Sequence, residues 1–509
     1  MALSSTARAA AIELARRTET RRAARDETGS GADWLAAQLP DAFPLQFGPM
    51  HHHLAGLLDV HGPTGLRAVI GAQRGAGKST VGLLGLPLLA LTRRSHRFVV
   101  LLRATDTDAR AALEALRDVL RAKPALVARY PWLAERSYQA GELRLQGALV
   151  VSRGAGSAIR GLTRQVGGRM LRPDLVVGDD LETDESARSR LQTSRLEDWL
   201  TKTVAQLGGP PGDPDASPLD VLVIGTTLTP AALVARALAG DGPLATWHTA
   251  RYPAEVLADG QGGSTTLRGE PLTIATGHAA EGDRLASWPH GQPLAYLARL
   301  TDPADQLFIG SLGYAQEYLL DPRSTTATVL PAEHLTYRAG PPRPTEYQRL
   351  AIAVDPAAST RTAADYTAVA VVGLWQPEDD GRPVLHVPYV ARRRATLAEL
   401  LAWVAELREL YPQATVVFES NGGFAWGAQE LRRTRVPVRP VTATADKRTR
   451  AMPLSVWWEA GRVWLAPELE GTAAVDELTS FTGAGDVHDD QVDAVVWGAT
   501  YCTSGWRAA

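Results

Sequence analysis

Short, uninterrupted apolar runs recur through the first half of the chain: Ala68-Val69-Ile70, Phe98-Val99-Val100-Leu101-Leu102, Ala148-Leu149-Val150-Val151, Leu175-Val176-Val177 and Val221-Leu222-Val223-Ile224. Runs this short, with no polar residue alternating, predict strands buried on both faces, as in a parallel sheet covered by helices. Helical stretches separate them. The longest apolar segment, Val81 to Leu91, falls short of the ~20 residues that cross a bilayer and predicts a buried helix kinked at Pro87. A second α/β pattern opens at Leu350-Ala351-Ile352-Ala353-Val354. It continues with a hairpin partner from Thr367 to Val372, a helix from Thr396 to Leu410 and a strand Thr415-Val416-Val417-Phe418. Between residues 255 and 345 glycine and proline are frequent and periodicity fades, which predicts a connecting subdomain rather than another sheet. Residues 1–30 read as an exposed, charged helical arm, and Gly208-Gly209-Pro210-Pro211-Gly212-Asp213-Pro214 as a surface loop.

At 509 residues the chain is too long for one ordinary core. An apolar fraction of 45% and a charged fraction of 21% place it with globular rather than disordered chains. The N-terminus interleaves Arg8, Arg16, Arg17, Arg21 and Arg22 with alanines and glutamates and has no apolar core for a secretion signal, so a cytoplasmic protein with no membrane association is expected. Cys502 is the lone cysteine, which excludes an internal disulfide framework and any site with several thiolate ligands. Metal sites must then rest on carboxylates. The formal charge of −3 argues against electrostatic coating of nucleic acid but permits a local basic groove.

The first chemistry is phosphate binding. Gln73-Arg74-Gly75-Ala76-Gly77-Lys78-Ser79-Thr80 follows an apolar strand and precedes an apolar helix, the context in which backbone amides and a helix N-terminus wrap phosphate oxygens. Ala72 stands where the first glycine of such a loop belongs, with Gly71 and Gly75 nearby to supply flexibility. In this reading Lys78 holds the β and γ phosphates of ATP and Ser79 ligates Mg²⁺, with Gly75, Gly77 and Thr80 completing the loop. Asp179 follows the strand Leu175 to Val177 where a carboxylate would meet the metal. Asp180 or Glu182 would orient the attacking water, with a solvated acidic turn as the plain alternative. Thr226, in Gly225-Thr226-Thr227, is placed to sense the γ phosphate or simply to cap a turn. Arg74 and Arg160 are candidates for stabilising charge on the transferring phosphoryl group.

The second chemistry is carried by spaced carboxylates. Two cations held ~4 Å apart by acids converging from different elements can stabilise the attacking and leaving oxygens of a phosphodiester. Asp355 ends one strand and Glu419 another, while Asp489, Asp490 and Asp493 open an apolar helix through Trp497. Asp489 and Asp493 would share a helical face, and helix capping is the plain alternative for Asp489 and Asp490. Asp365 reads as shaping the hairpin. Arg432, Arg433, Arg435, Arg439, Lys447, Arg448 and Arg450 crowd one stretch and predict a phosphate-gripping rim beside the acids.

Taken in order, these motifs resemble the large terminase subunit of tailed bacteriophages. The resemblance is carried by the phosphate loop, Ile159-Arg160-Gly161, Arg172 to Glu182, Gly225-Thr226-Thr227, Val354-Asp355-Pro356-Ala357, Phe418 to Gly423, Asp446-Lys447-Arg448-Thr449-Arg450 and His488 to Ala494. It implies an α/β fold with a P-loop ATPase domain over residues 1–250, a connecting subdomain over 251–344 and an RNase H-like nuclease domain over 345–509. It implies ATP with Mg²⁺ at the first site and Mg²⁺ or Mn²⁺ at the second. It further implies double-stranded DNA as substrate, portal protein of an empty procapsid and a small terminase subunit as partners, a pentamer on the portal, and action in the host cytoplasm. By motif position Arg74 matches a family arginine in the loop, and Asp180 stands where a glutamate is commoner. Gln46 is the candidate for an adenine-side glutamine, and the adjacent His51, His52 and His53 read as a solvated turn. The expected activity is ATP-driven DNA packaging with metal-dependent cutting by Asp355, Glu419 and Asp489/Asp490. Alternatives are a helicase-nuclease of repair or defence and a nucleotide-dependent scaffold with an inactive nuclease.

Overall fold

The computed structural model describes residues 29–59, 65–139, 141–166, 168–183, 185–210, 217–321, 327–341, 343–356, 366–378, 381–420, 436–483, 486 and 488–504. The expectations for the N-terminal arm before Gly29, for Asp365 and for Arg432, Arg433 and Arg435 lie outside these residues. The chain forms two compact units. One comprises Met1–Ala298 with Gly313–Thr325, the other Arg299–Leu312 with Thr326–Ala509.

The first unit is built on an eight-stranded sheet. Its strands are β1 (Arg67–Ala72), β2 (Phe98–Arg103), β3 (Glu135–Gln139), β4 (Glu142–Leu145), β5 (Leu149–Gly154), β8 (Leu175–Asp179), β9 (Asp220–Gly225) and β10 (His248–Tyr252), with β6 (Arg164–Val166) and β7 (Arg169–Leu171) forming a separate hairpin. The order across the sheet is β10-β1-β9-β8-β2-β5-β4-β3. Every pair from β10 to β5 is parallel, and the β5-β4-β3 edge is antiparallel. The five apolar runs become the five central strands because their Val, Leu and Ile side chains are buried on both faces. The helix Asp106–Ala122 covers one side, buries Ala109, Leu113, Leu116 and Leu120, and starts where the Thr105 hydroxyl accepts from the Asp108 N–H at 3.1 Å.

The apolar segment after the phosphate loop is helical but not simply kinked. A π-helical turn spans Val81–Gly85, and the Leu86 N–H donates to Val81 one residue further back than in an α-helix. Pro87, which has no N–H to give, begins the α-helical stretch that follows. The glycine-rich region does contain a sheet, contrary to expectation: β11 (Glu255–Ala258), β12 (Ser264–Thr265), β13 (Pro271–Leu272) and β14 (Arg284–Ala286) pair in the order β13-β12-β11-β14. Strands of two to four residues are too short to show a period of two.

In the second unit the strands are β15 (Arg349–Asp355), β16 (Thr367–Trp375), β17 (Val384–Arg393), β18 (Thr415–Glu419), β19 (Val438–Val441) and β20 (Val463–Leu465), in the order β19-β18-β15-β16-β17-β20. β15, β16 and β17 form an antiparallel meander, and β18 and β19 add in parallel beside β15. This is the RNase H-like arrangement. A capping box between Thr396 and Glu399 starts the helix Leu397–Leu410. The helix Asp490–Thr503 packs on β15 and β16 so closely that a Cβ on Gly498 would stand 2.5 Å from Val372 Cγ2. Only a glycine permits that approach.

Candidate functional site

At the carboxyl end of β1 the chain leaves the sheet directly into the phosphate loop. Ala72 is still strand and wholly buried, so the position where a glycine is usual needs no special backbone freedom here. The left-handed positions are Gly75 (φ 75°) and Gly77 (φ 74°). At Gly75 a Cβ would also stand 2.8 Å from Gln292 Nε2. The helix that begins at Lys78 presents its N-terminus to the loop.

Three adjacent strand ends converge on Lys78. Its ammonium, 8% exposed, donates to Thr226 Oγ1 at 2.8 Å beyond β9 and lies 3.5 Å from Asp180 Oδ2 beyond β8. Asp179 is fully buried, with Arg103 Nη1 3.3 Å from Oδ2 and the Ser79 hydroxyl against the carboxylate, yet neither oxygen makes a hydrogen bond of full geometry. Burial, then the neighbouring Asp180, pushes the Asp179 carboxyl up to about 6. A buried carboxylate with lone pairs unfilled, beside a hydroxyl, suits a hard cation such as Mg²⁺.

Asp180 and Glu182 part company in the structure. Asp180 adopts a left-handed backbone (φ 42°), which aspartate tolerates better than most residues, and keeps a partly exposed carboxylate beside Lys78. Both Glu182 oxygens are taken, Oε1 by the Thr193 hydroxyl and Oε2 by the Leu233 N–H, each at 2.7 Å, so Glu182 ties helices together instead of facing the loop. Thr80 lies in the first helical turn. The Arg74 guanidinium is largely exposed and approaches Glu317 at 4.0 Å, and Arg160 donates to Thr203 Oγ1 at 3.2 Å. Neither is drawn into the Lys78 cluster. Arg103, which the sequence reading passed over, is the arginine facing Asp179. A strand-end arginine carries no signal of its own, since most arginines are solvated.

The histidine run is not a solvated turn. It lies in the helix Pro49–Leu57, where His51 is 3% exposed, stacks on Phe47 and accepts the Gly48 N–H through Nδ1 at 3.1 Å. Burial holds its imidazole down at about 4. The backbone carbonyl of Gln46 accepts from the Trp288 indole at 2.7 Å.

In the second unit the register pairs Val354 with Phe418, so Asp355 and Glu419 emerge side by side from neighbouring parallel strands. The N-terminus of the helix Asp490–Thr503 meets them. Burial, then Asp493, Glu419 and Asp490, drives the Asp355 carboxyl well above its usual range, the electrostatic mark of acids gathered round one point. Asp489 is the helix N-cap, but its side chain makes no capping bond. It accepts instead from Lys447 Nζ at 2.6 Å. Asp493 is held by Lys447 at 3.0 Å and by Arg450 Nη2 at 2.7 Å, and the Trp497 indole donates to Glu419 Oε2 at 2.6 Å. As the side chains stand, no group of three His, Cys, Asp or Glu among the described residues is set to hold an ion.

Residues 352–501 match the family model described as the terminase RNase H-like domain. The second unit is a terminase RNase H-like domain. The large terminase of a thermophilic bacteriophage in complex with ADP resembles the whole chain with a TM-score of 0.50 at 10% identity, covering 90% of this chain and 100% of that one. Another crystal form of that phage's large terminase gives 0.50 at 10% identity, covering 90% and 99%. The large terminase nuclease of thermophilic phage G20c with bound zinc is 21% identical over 36% of this chain and 99% of that one, with a TM-score of 0.27. No curated protein matches the chain. At 10% identity the likeness speaks for the fold alone, a parallel-sheet unit followed by an RNase H-like one. In the terminase RNase H-like domain, the predicted basic rim turns inward instead. Lys447 and Arg450 pair with the acids, and the buried Arg448 donates to the carbonyls of Ala327 and Thr482. Arg439 remains exposed, over the Tyr501 ring. The cations were drawn in because five acids packed so closely need counter-charge. No described helix is long and apolar enough to cross a membrane.

Proposed function

We propose that the chain is the large subunit of a viral DNA-packaging terminase, in which ATP hydrolysis at the Lys78 site drives double-stranded DNA and the Asp355 site cuts it. The carrying observation is the coexistence, in one chain, of Lys78 gathered with Thr226, Asp179 and Asp180 at strand ends, and of Asp355, Glu419 and Asp490 gathered in a terminase RNase H-like domain.

In this reading the Lys78 ammonium binds the β and γ phosphates, and Gly75 and Gly77 shape the loop round them. Ser79 and Asp179 hold Mg²⁺. Thr226 reports on phosphate by sharing Lys78, and Asp180, accessible and adjacent, orients water where the engaged Glu182 does not. In the second unit Asp355, Glu419 and Asp490 hold Mg²⁺ or Mn²⁺, with Asp489 and Asp493 behind them. Divalent ions, when bound, neutralise phosphate charge and sharpen a water for attack. The partners that follow are a procapsid portal, in a ring of five copies, and a small terminase subunit, in the host cytoplasm.

Two variants test the division of labour. Lys78→Ala lowers ATP turnover by at least about 100-fold and leaves metal-dependent plasmid cutting. Asp355→Ala removes cutting and leaves ATP turnover. Loss of both activities in both folded variants contradicts two separable centres, and ATP-dependent strand unwinding would favour a helicase-nuclease.

A further inference from the structure

The acid cluster of the second unit carries its own cations. Lys447 and Arg450 lie one turn apart on the helix Lys447–Glu459 and so share a face, which is turned to the start of the helix Asp490–Thr503. Lys447 Nζ bridges two carboxylates, at 2.6 Å from Asp489 Oδ1 and 3.0 Å from Asp493 Oδ2. Arg450 Nη2 takes the other Asp493 oxygen at 2.7 Å, and its Nη1 stands 3.7 Å from Glu419 Oε2. Both oxygens of Asp493 and one of Asp489 are therefore already bound to positive charge. An ammonium and a divalent ion compete for the same lone pairs.

We propose that, in the DNA-free protein, this centre takes one divalent cation, held by Asp355, Glu419 and Asp490, while the Lys447 ammonium stands where a second would bind. Lys447 is then a positioning residue that sets how many ions the acids accept. The inference rests on the acid cluster being the nuclease centre, as proposed above.

The test is Mn²⁺ binding to the full chain without nucleotide or DNA, by equilibrium dialysis and electron paramagnetic resonance, in a background carrying Asp179→Asn to silence the first unit. The expected result is one Mn²⁺ with an uncoupled spectrum, abolished by Asp355→Asn. Lys447→Met, or Lys447→Gln should the former not fold, binds two Mn²⁺ with the spin coupling of ions ~4 Å apart. Lys447→Arg keeps one. Two ions in the protein with Lys447 intact, or one ion still in the neutral variants, overturns the proposal. Plasmid cutting measured in parallel separates the failures. Cutting with two ions bound sinks only the assignment to Lys447, whereas no Mn²⁺ bound and no cutting sinks the nuclease reading and this inference with it.

Discussion

Lys78 and Asp493 show how single side chains decide this molecule's chemistry. Lys78 is nearly buried, and its charge is met only where strands β8 and β9 end. That the sequence named Lys78, Ser79, Asp179 and Thr226 follows from geometry: a loop after a strand and acids after strands must open on one edge of a parallel sheet. What it left open was which acid faces the phosphate side, because Asp180 and Glu182 differ only in the helices that pack over them. Arg103 and the inward turn of Lys447 were invisible for the same reason. Asp493, with Lys447 and Arg450 on its two oxygens, is nearly buried. Its removal leaves buried cations uncompensated, so Asp493→Ala should lower the unfolding free energy of the second unit by about 3 kcal/mol. Chemical denaturation followed by Trp fluorescence measures it, and a loss below about 1 kcal/mol would show the pairs to be solvated.

Among elements, the helix Pro49–Leu57 carries a pH dependence. His51 accepts the Gly48 N–H through a lone pair, and burial holds its folded pKa at about 4, below the unfolded value of about 6.5. Between those values the unfolded chain binds more protons, so stability is level above pH 6.5 and falls as pH drops toward 4, by about 3 kcal/mol from this group. Denaturation midpoints at pH 7 and 4.5 for the native chain and His51→Asn check it: the variant should lose less on acidification. The close seat of the helix Asp490–Thr503 gives another prediction. Gly498→Val should cost about 2 kcal/mol through overpacking against Val372, read as a lower melting temperature of the second unit. The long apolar strands were legible because burial on both faces needs continuous apolar residues. Strands β12 and β13, two residues each, and the polar edge strand β3 leave no such trace.

At the scale of the whole molecule, two units with separate cores hold the two centres, and the order of motifs along the chain already announced both. The finer division into three domains was not legible, since the glycine-rich stretch builds a small sheet within the first unit. The account's central claim is that nucleotide turnover at Lys78 moves DNA while the acids of the second unit serve only to cut it. The most direct measurement is protection of linear DNA from added nuclease by purified procapsids, this protein and ATP. The account predicts protection with the native chain and with Asp355→Ala, and none with Lys78→Ala. Equal protection with Lys78→Ala, or ATP turnover that never protects DNA, would contradict it.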